Sequence, residues 1–266
     1  MKITVVTPSY NQGQYLEATI ESVLSQGIRD LEYIIMDGGS TDGSVEIIKK
    51  YARYLTYWQS EKDGGQTQAI NAGFERGTGE VLCYLNSDDR YEPGALALAE
   101  REFEANPGLQ LLYGDYTLAY SDGREVPKPK ISFDFDICLH AFLMIPQASS
   151  FWRASLYKRL GGFNSDYQFE FDYDFFLRAG HVLRNELGAI KHVHEYLSKF
   201  RVHSASKSVS QIPQFKIERK RIVAPFGRSK YRPIRKIRTY YEWSRAVLHF
   251  WTERRILKLT KSKGKA

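Results

Sequence analysis

Short apolar runs of strand type alternate with segments that have the apolar spacing of helices in the first third of the chain. The four strand-type runs are residues 2–7, 31–36, 55–59 and 81–85. Between the first two, Leu16, Ile20 and Val23 recur at the intervals of an amphipathic helix. Strands that alternate with helices in this way form a parallel sheet with helices on both faces. The predicted fold class is therefore α/β, a single Rossmann-like domain with a mostly parallel central sheet flanked by helices.

The second half of the chain has weaker local signals. Residues 109–113, 147–152 and 196–202 are predicted strands, and the proline-containing residues 127–136 are predicted to form a surface loop. The segment from Phe171 to Arg178 has helical spacing. Asp172 then lies at a helix start, where the helix dipole favours the ionised carboxylate.

Small, polar or acidic residues follow each of the four N-terminal strands. They are Pro8-Ser9-Tyr10-Asn11, Asp37-Gly38-Gly39, Glu61 with Asp63, and Asn86 with Asp88-Asp89. The carboxyl ends of parallel strands share one edge of the sheet, and open α/β sheets bind ligands beyond that edge. We expect a nucleotide to lie across these turns, with a carboxylate such as Asp37 hydrogen-bonded to the base. No glycine loop of a phosphate-binding type follows any strand, so the diphosphate is expected to be held through a metal ion.

Asp88 and Asp89 follow the apolar run 81–85, at the predicted carboxyl end of a buried strand. Two adjacent carboxylates repel each other, and partial desolvation adds to that cost unless a cation lies between them. Ligand sets made only of oxygen suit Mg²⁺ or Mn²⁺. An isolated Asp-Asp pair is more often a solvated turn, so the metal site is a hypothesis that depends on the rest of the chain.

Composition and chain ends indicate the compartment. The chain is 42% hydrophobic and 26% charged, which is typical of soluble globular proteins. It has two cysteines, Cys83 and Cys138, too few for a disulfide framework. The N-terminus has no signal-peptide pattern, and no apolar stretch approaches the roughly 20 residues of a membrane span. We expect a cytoplasmic protein.

Charge is distributed unevenly along the chain. Residues 214–266 contain 17 Lys and Arg against 3 Asp and Glu, and the remaining 213 residues contain 21 against 28. We expect a domain over residues 1–211, with a nucleotide-binding half (1–115) and an acceptor-binding half (116–211), and a basic, helical extension over residues 212–266. The extension could lie on an anionic membrane surface, so that the protein is peripheral at the inner face of the cell membrane. Packing on the acidic body or forming an oligomer are alternatives, and nucleic acid binding is less expected.

Five motifs occur in an order that resembles family-2 glycosyltransferases. They are Pro8-Ser9-Tyr10-Asn11, residues 37–43, Leu85-Asn86-Ser87-Asp88-Asp89, Gly161-Gly162-Phe163-Asn164 followed by Asp172-Tyr173-Asp174, and Phe200-Arg201-Val202-His203. The resemblance covers roughly residues 1–207. It implies a GT-A fold, a nucleotide-sugar donor that is most often UDP-linked, a divalent cation such as Mg²⁺ or Mn²⁺, and inversion at the anomeric carbon.

The resemblance also implies roles for individual residues. The nucleotide would be contacted by Pro8, Tyr10, Asp37, Asp63 and Asp88, the metal would be held by Asp88, Asp89 and His203, and the general base would be Asp172. The family commonly has Asp where this chain has Asn86, and another acid where Phe171 precedes Asp172. The second departure leaves Asp172, Asp174 and Glu170 open as the base.

Several of these residues could instead have purely structural roles. Asp37 could cap a helix, and Asp174 could pair with Arg178 four residues later. The pair His192 and His194 has the spacing of metal ligands, but the sequence offers no third ligand at a usable spacing, so no site is predicted there.

The leading functional hypothesis is an inverting, metal-dependent glycosyltransferase. It would transfer a sugar from a nucleotide-sugar to a hydroxyl of a glycan or lipid-linked glycan acceptor in cell-surface polysaccharide biosynthesis. A sugar nucleotidyltransferase would be expected to have a Gly-rich, Arg-containing loop after its first strand, where this chain has Pro8-Ser9-Tyr10-Asn11. A non-catalytic nucleotide-sugar binder docked by its basic tail is the remaining alternative.

Overall fold

The computed structural model describes residues 1–140, 143–203, 206 and 212–227. The strands within these residues are β1 (Ile3–Ser9), β2 (Leu31–Asp37), β3 (Tyr57–Ser60), β4 (Val81–Tyr84), β5 (Arg90–Tyr91), β6 (Leu111–Tyr120), β7 (Glu125–Lys128), β8 (Ser150–Arg153) and β9 (Ile190–Val202). The helices are α1 (Gly13–Leu24), α2 (Ser44–Tyr51), α3 (Gln66–Arg76), α4 (Ala95–Ala105), α5 (Phe135–His140), α6 (Ala154–Arg159), α7 (Phe171–Leu183) and α8 (Ile212–Val223).

All of these strands belong to one sheet, in which the N-terminal strands are parallel. The order along the sheet is β3-β2-β1-β4-β8-β6-β9-β5, with β7 paired to β6. The β1 and β2 strands pair in register from Ile3 opposite Leu31 to Ser9 opposite Asp37, so their polar ends lie side by side. Antiparallel β8 then joins β4 to β6, and β6 is parallel to β9. The α/β class is confirmed, with a parallel N-terminal half and a mixed C-terminal half.

Helices cover both faces of the parallel strands. Successive residues of β1 alternate between two cores: Val5 belongs to the cluster that includes Leu16 of α1, and Val6 to the cluster that includes Ile70 of α3. Strands buried on both faces read as continuous apolar runs, which is why the sequence signal was strong here. Close packing also requires Gly73 in α3, because a Cβ there would approach Val6 Cγ1 to 2.6 Å.

Several predicted boundaries in the second half differ from the structure. The predicted loop at residues 127–136 contains part of β7 and the start of α5. Here Pro127 is tolerated because β7 pairs with β6 alone, as edge strands do. The predicted strand at 147–152 begins with a 3-10 turn, Gln147–Ser149, before β8, and the strand predicted at 196–202 extends back to Ile190.

The basic C-terminal extension begins with a helix that docks on the acidic body. The Glu218 carboxylate of α8 accepts hydrogen bonds from the backbone N–H groups of Gln168, Phe169 and Glu170 at 2.9, 2.8 and 2.8 Å. Packing on the body, one of the alternatives, is therefore what residues 212–227 do. Residues 228–266, the rest of the extension that is predicted to lie on a membrane, are outside the described residues. In the part of the chain that the structure describes, every helix is too short or too polar to cross a membrane.

We expect Glu218→Ala to destabilise the fold, because three backbone N–H groups lose their acceptor. One buried donor left unsatisfied costs about 1–3 kcal/mol, and denaturant unfolding monitored by circular dichroism would measure the loss. Glu186→Ala is the matched control, since Glu186 makes an exposed ion pair with Arg159, and such pairs contribute roughly 0–1 kcal/mol. Equal free energies of unfolding for both variants would contradict a docking role for Glu218.

Candidate active site

A cavity of about 870 Å³ opens at the carboxyl ends of β1, β2 and β4. Five of the predicted site residues line it: Pro8, Tyr10, Asp63, Asp88 and Asp172. A cavity of this size can hold a ligand as large as a nucleotide with an attached group. The predicted convergence of strand ends therefore occurs. The other three predicted residues, Asp37, Asp89 and His203, do not line the cavity themselves, and His203 contacts the lining residue Asp88.

The turns after β1 and β2 are tied together, which presents Tyr10 to the cavity. The N–H of Asn11 donates to Ser40 Oγ at 2.8 Å, and the N–H of Thr41 donates to Asn11 Oδ1 at 2.9 Å. Asn11 has a φ of 52°, a left-handed conformation that asparagine tolerates better than most residues. Tyr10 remains 64% exposed. An accessible aromatic ring at the cavity edge can stack on a nucleotide base.

Asp37 is buried, and its carboxylate shapes the turn that follows β2. Its oxygens accept the N–H groups of Gly39 and Ser40 at 3.2 and 2.9 Å, and both accept a serine hydroxyl, from Ser40 and Ser60, at 2.6 Å. Asp42, not Asp37, accepts the N–H of Ser44 at the start of α2. Asp37 therefore stabilises the glycine-containing turn after β2. Its direct contact with the nucleotide base remains a prediction.

The two adjacent aspartates at the end of β4 face different ways. Asp88 borders the cavity, and its Oδ2 lies 3.0 Å from Nε2 of His203. Asp89 is buried, and its Oδ1 accepts the backbone N–H of Arg201 at 2.9 Å. Burial and the neighbouring Asp88 charge raise the pKa of Asp89 well above its usual range. A cation at Asp88 would offset this repulsion, so Asp88 and His203 fit a divalent metal. The third predicted ligand, Asp89, is instead buried and hydrogen-bonded to the backbone of Arg201.

Arg201 joins the two chain segments that carry these residues. Its guanidinium Nε donates to the backbone oxygen of Asp88 at 2.9 Å, and the guanidinium lies 4.5 Å from the ring centroid of Tyr15. The ring of His203 contacts Tyr15 as well, with centroids 4.8 Å apart. The end of β9 is thereby held against the end of β4 and against α1.

A chain of side-chain amides forms another part of the wall. Gln66 Nε2 donates to Asn86 Oδ1 at 2.7 Å, Asn86 Nδ2 donates to Gln147 Oε1 at 3.3 Å, and Gln147 Nε2 donates to the backbone oxygen of Tyr84 at 2.6 Å. An aspartate at position 86 could not donate to Gln147. Asn86 Nδ2 also donates to Asp89 Oδ2 at 3.4 Å, so the departure from the family pattern at Asn86 supplies donors in a network that the sequence did not reveal.

Among the three candidate bases, Asp172 is the one that borders the cavity. It lies in the first turn of α7, and its Oδ1 accepts the N–H of Tyr173 at 2.8 Å. Desolvation by the surrounding protein nevertheless raises its pKa to about 6. The expectation that the helix start favours the ionised form is therefore outweighed by burial. A carboxylate with a pKa near 6 is suited to accept a proton near neutral pH.

The other two acids are held by arginines. Arg219 of α8 donates to both oxygens of Glu170, at 2.6 and 2.9 Å, and Arg178 pairs with Asp174 at 2.7 Å, which confirms the predicted pair four residues apart. Burial raises the pKa of Glu170 to about 7 despite Arg219. In the described residues Asp172 has no ion-pair partner, so it is the acid free to meet a substrate.

Much of the remaining cavity lining is aromatic or apolar. Phe200 belongs to one of the family motifs, whereas the sequence did not single out the others, namely Tyr116, Leu118, Lys130, Ile145, Pro146 and Phe215. Burial lowers the pKa of Lys130 to about 8. These residues come from β6, β9, α8 and the connecting segments, and no local pattern relates them.

Comparisons with known proteins agree with this geometry. Residues 4–160 match the model of glycosyl transferase family 2. An uncharacterized glycosyltransferase of Mycobacterium tuberculosis (strain ATCC 25618 / H37Rv) is 32% identical over 182 residues, which cover 68% of this chain and 69% of that protein. The hyaluronan synthase of Pasteurella multocida is 27% identical over 212 residues, 79% of this chain but 21% of the synthase.

Solved structures resemble the fold at lower identity. S. aureus TarS (residues 1–349), in complex with UDP-GlcNAc, superposes with a TM-score of 0.67 at 21% identity, covering 84% of this chain and 66% of that 1–349 chain. At this identity the likeness shows the GT-A-type fold alone. The family match spans more than half of the chain and includes the cavity residues from Pro8 to Asp88. This chain belongs to glycosyl transferase family 2.

Proposed function

We propose that this family-2 glycosyltransferase transfers a sugar, with inversion, from a UDP-sugar to a hydroxyl of a glycan or lipid-linked glycan acceptor. The observation that supports the proposal most is that Asp88 and Asp172 border one cavity, which could place a diphosphate and a general base on either side of an anomeric carbon. Relatives such as the hyaluronan synthase support a role in cell-surface polysaccharide biosynthesis.

The donor is proposed to lie across the ends of β1, β2 and β4. The base would stack on Tyr10 beside the turn that Asp37 braces, and Asp63 would contact the nucleoside from the start of α3. The diphosphate would reach Asp88 and His203, which would hold Mg²⁺ or Mn²⁺ while Asp89 fixes the turn through Arg201. The bound cation would neutralise charge on the leaving diphosphate.

Asp172 is proposed to activate the acceptor. Its ionised carboxylate accepts the proton of the acceptor hydroxyl as the hydroxyl oxygen bonds to the anomeric carbon. The bond from that carbon to the phosphate oxygen breaks at the same time, and its electron pair leaves with the nucleoside diphosphate. Attack from the face opposite the leaving group inverts the anomeric configuration. The aromatic side of the cavity, with Tyr116 and Phe215, would hold the acceptor.

The domain division and the basic extension belong to the same proposal. Residues 1–115 would bind the nucleotide and residues 116–211 the acceptor, with Phe215 of α8 completing the wall. The positive charge of residues 228–266 would attract the protein to an anionic membrane surface, where a lipid-linked acceptor is found. The protein would then act in the cytoplasm at the inner face of the membrane.

Nucleotide-sugars should raise the unfolding temperature only when a divalent metal is present. The test uses UDP- and GDP-sugars with Mn²⁺, Mg²⁺ or EDTA, because a ligand at 100 times its Kd stabilises the folded state by about 2.7 kcal/mol. Asp88→Asn should lose this stabilisation, whereas Asp122→Asn, in an exposed hairpin pair with Arg124, should keep it. Stabilisation that survives in Asp88→Asn would refute the assigned position of the diphosphate.

Activity should decline as the pH falls through about 6. The proposed base works when ionised, and the raised pKa of Asp172 means that it becomes protonated below that pH, so kcat/KM should fall about tenfold per pH unit in the acidic range. Release of nucleoside diphosphate from the stabilising donor provides the assay.

Asp172→Asn should lower kcat by about 10²–10⁴-fold while donor binding persists. Glu170→Gln tests the competing assignment, since it should retain most activity and an acidic limb in its pH profile. If Glu170→Gln abolishes turnover and Asp172→Asn does not, Glu170 is the base and this assignment is wrong.

Arg219 is expected to set the position of the acidic limb. Its charge lowers the pKa of Asp172, so Arg219→Met should move the limb to higher pH, and Arg219→Lys should move it less. The pH dependence of kcat/KM for the three proteins checks this. An unchanged limb in Arg219→Met, with the protein folded, would contradict the electrostatic link.

A further inference from the structure

We propose that Asp115 of β6, together with His192 and His194 of β9, forms a second cation site that is separate from the cavity and suited to Zn²⁺. Each of the three side chains offers one ligand atom, and these atoms lie within 4.8 Å of one another. None of the three is among the described residues that line the cavity. The inference does not depend on the proposed reaction.

An irregularity in the pairing of β6 and β9 creates the cluster. Tyr113 pairs with His192, but two residues later along β6, Asp115 pairs with Tyr196, so the register shifts between them. The extra residues of β9 form a bulge that contains His194. Bulges often re-aim a side chain, and this one brings both histidines to Asp115. The sequence showed the two histidines at a ligand spacing but no third ligand. The bulge brings them to Asp115, which is distant in sequence and completes the set.

His192 is oriented before any ion binds. Its ring stacks on Tyr113, with centroids 4.7 Å apart and planes at 10°, and its Nε2 lies 2.9 Å from Oδ1 of Asp115. The side chain is 2% exposed. Its other ring nitrogen, Nδ1, is buried and has no hydrogen-bonding partner among the described residues. The nitrogen that faces Asp115 is thus Nε2, and a cation shared with Asp115 would bind that atom.

The donor types determine the cation class. Two imidazole nitrogens and one carboxylate oxygen suit Zn²⁺ and its neighbours better than Mg²⁺, which prefers oxygen ligands. Bonds of about 2.0–2.2 Å around a tetrahedral ion place ligand atoms roughly 3.4 Å apart. The 2.9 Å between Asp115 Oδ1 and His192 Nε2 would have to widen slightly, and His194, which is exposed, can move its ring to the third ligand position. The same exposure leaves the fourth position to water.

A cation bound by these three residues would cross-link β6 and β9 beside the cavity. Ser149 Oγ donates to the backbone oxygen of Asp115 at 2.8 Å and lies 2.6 Å from Oγ of Ser198, which lines the cavity. The backbone N–H of Lys130, another lining residue, donates to Asp115 Oδ1 at 2.7 Å. The ion would therefore stabilise the acceptor side of the cavity and would take no part in the transfer step.

Metal binding to the full chain tests the proposal. The Asp88→Asn variant serves as the parent, so that the donor-side cation site is disabled. After EDTA treatment and dialysis, calorimetric titration with Zn²⁺ should show one equivalent bound and a raised unfolding temperature, with millimolar Mg²⁺ failing to compete. Co²⁺ in place of Zn²⁺ should give the visible absorption of a tetrahedral site with nitrogen ligands.

Adding His194→Ala to the parent should weaken Zn²⁺ binding by at least about 100-fold, because loss of an outer-shell partner alone costs 10–100-fold. His194 is exposed, so this variant should fold. His140→Ala, also at an exposed position, is the matched control and should bind as the parent does. Failure of the parent to bind one equivalent, or equal binding by the His194→Ala variant, would overturn the proposal.

Discussion

The buried carboxylate of Asp89 is the contact on which the cavity depends. Asp89 lies in the turn that follows β4, and its carboxylate accepts the backbone N–H of Arg201 at the carboxyl end of β9. Thr19 of α1 donates its hydroxyl to the backbone oxygens of Ser87 and Asp89. One turn is thus fixed by a helix and a distant strand together. Asp88 and His203 meet at 3.0 Å because of this arrangement.

The C-terminal helix α8 provides the second constraint. Glu218 holds the backbone that precedes α7, and Arg219 neutralises Glu170 next to the general-base candidate. The adjacent residues Glu218 and Arg219 therefore bind the backbone and the side chain of Glu170, two residues before Asp172. The extension, which looks like a separate tail in its composition, forms part of the active-site support where it is described.

The parallel half of the fold could be predicted because its strands are buried on both faces and flanked by helices with clear periodicity. The turns that carry Tyr10, Asp63 and Asp88 followed from strand order alone. The mixed half could not be predicted in the same way, because its pairings join distant segments: β8 is inserted between β4 and β6, and β9 lies beside β6 through a register shift. Asp115 and His192 are 77 residues apart in sequence.

The amino-acid sequence was enough to assign the family, to predict the edge of the sheet where the cavity opens, and to name three acids as candidates for the base. The family and the three acids follow from the order of the motifs that resemble it, and the edge of the sheet follows from the strand ends. Which of the three acids borders the cavity without an arginine partner depends on the packed chain. The Arg178–Asp174 pair is local in sequence, but Arg219 reaches Glu170 from 49 residues away, and no local pattern predicts that contact. Burial, which sets the pKa of Asp172, is likewise a property of the packed chain and of no single segment.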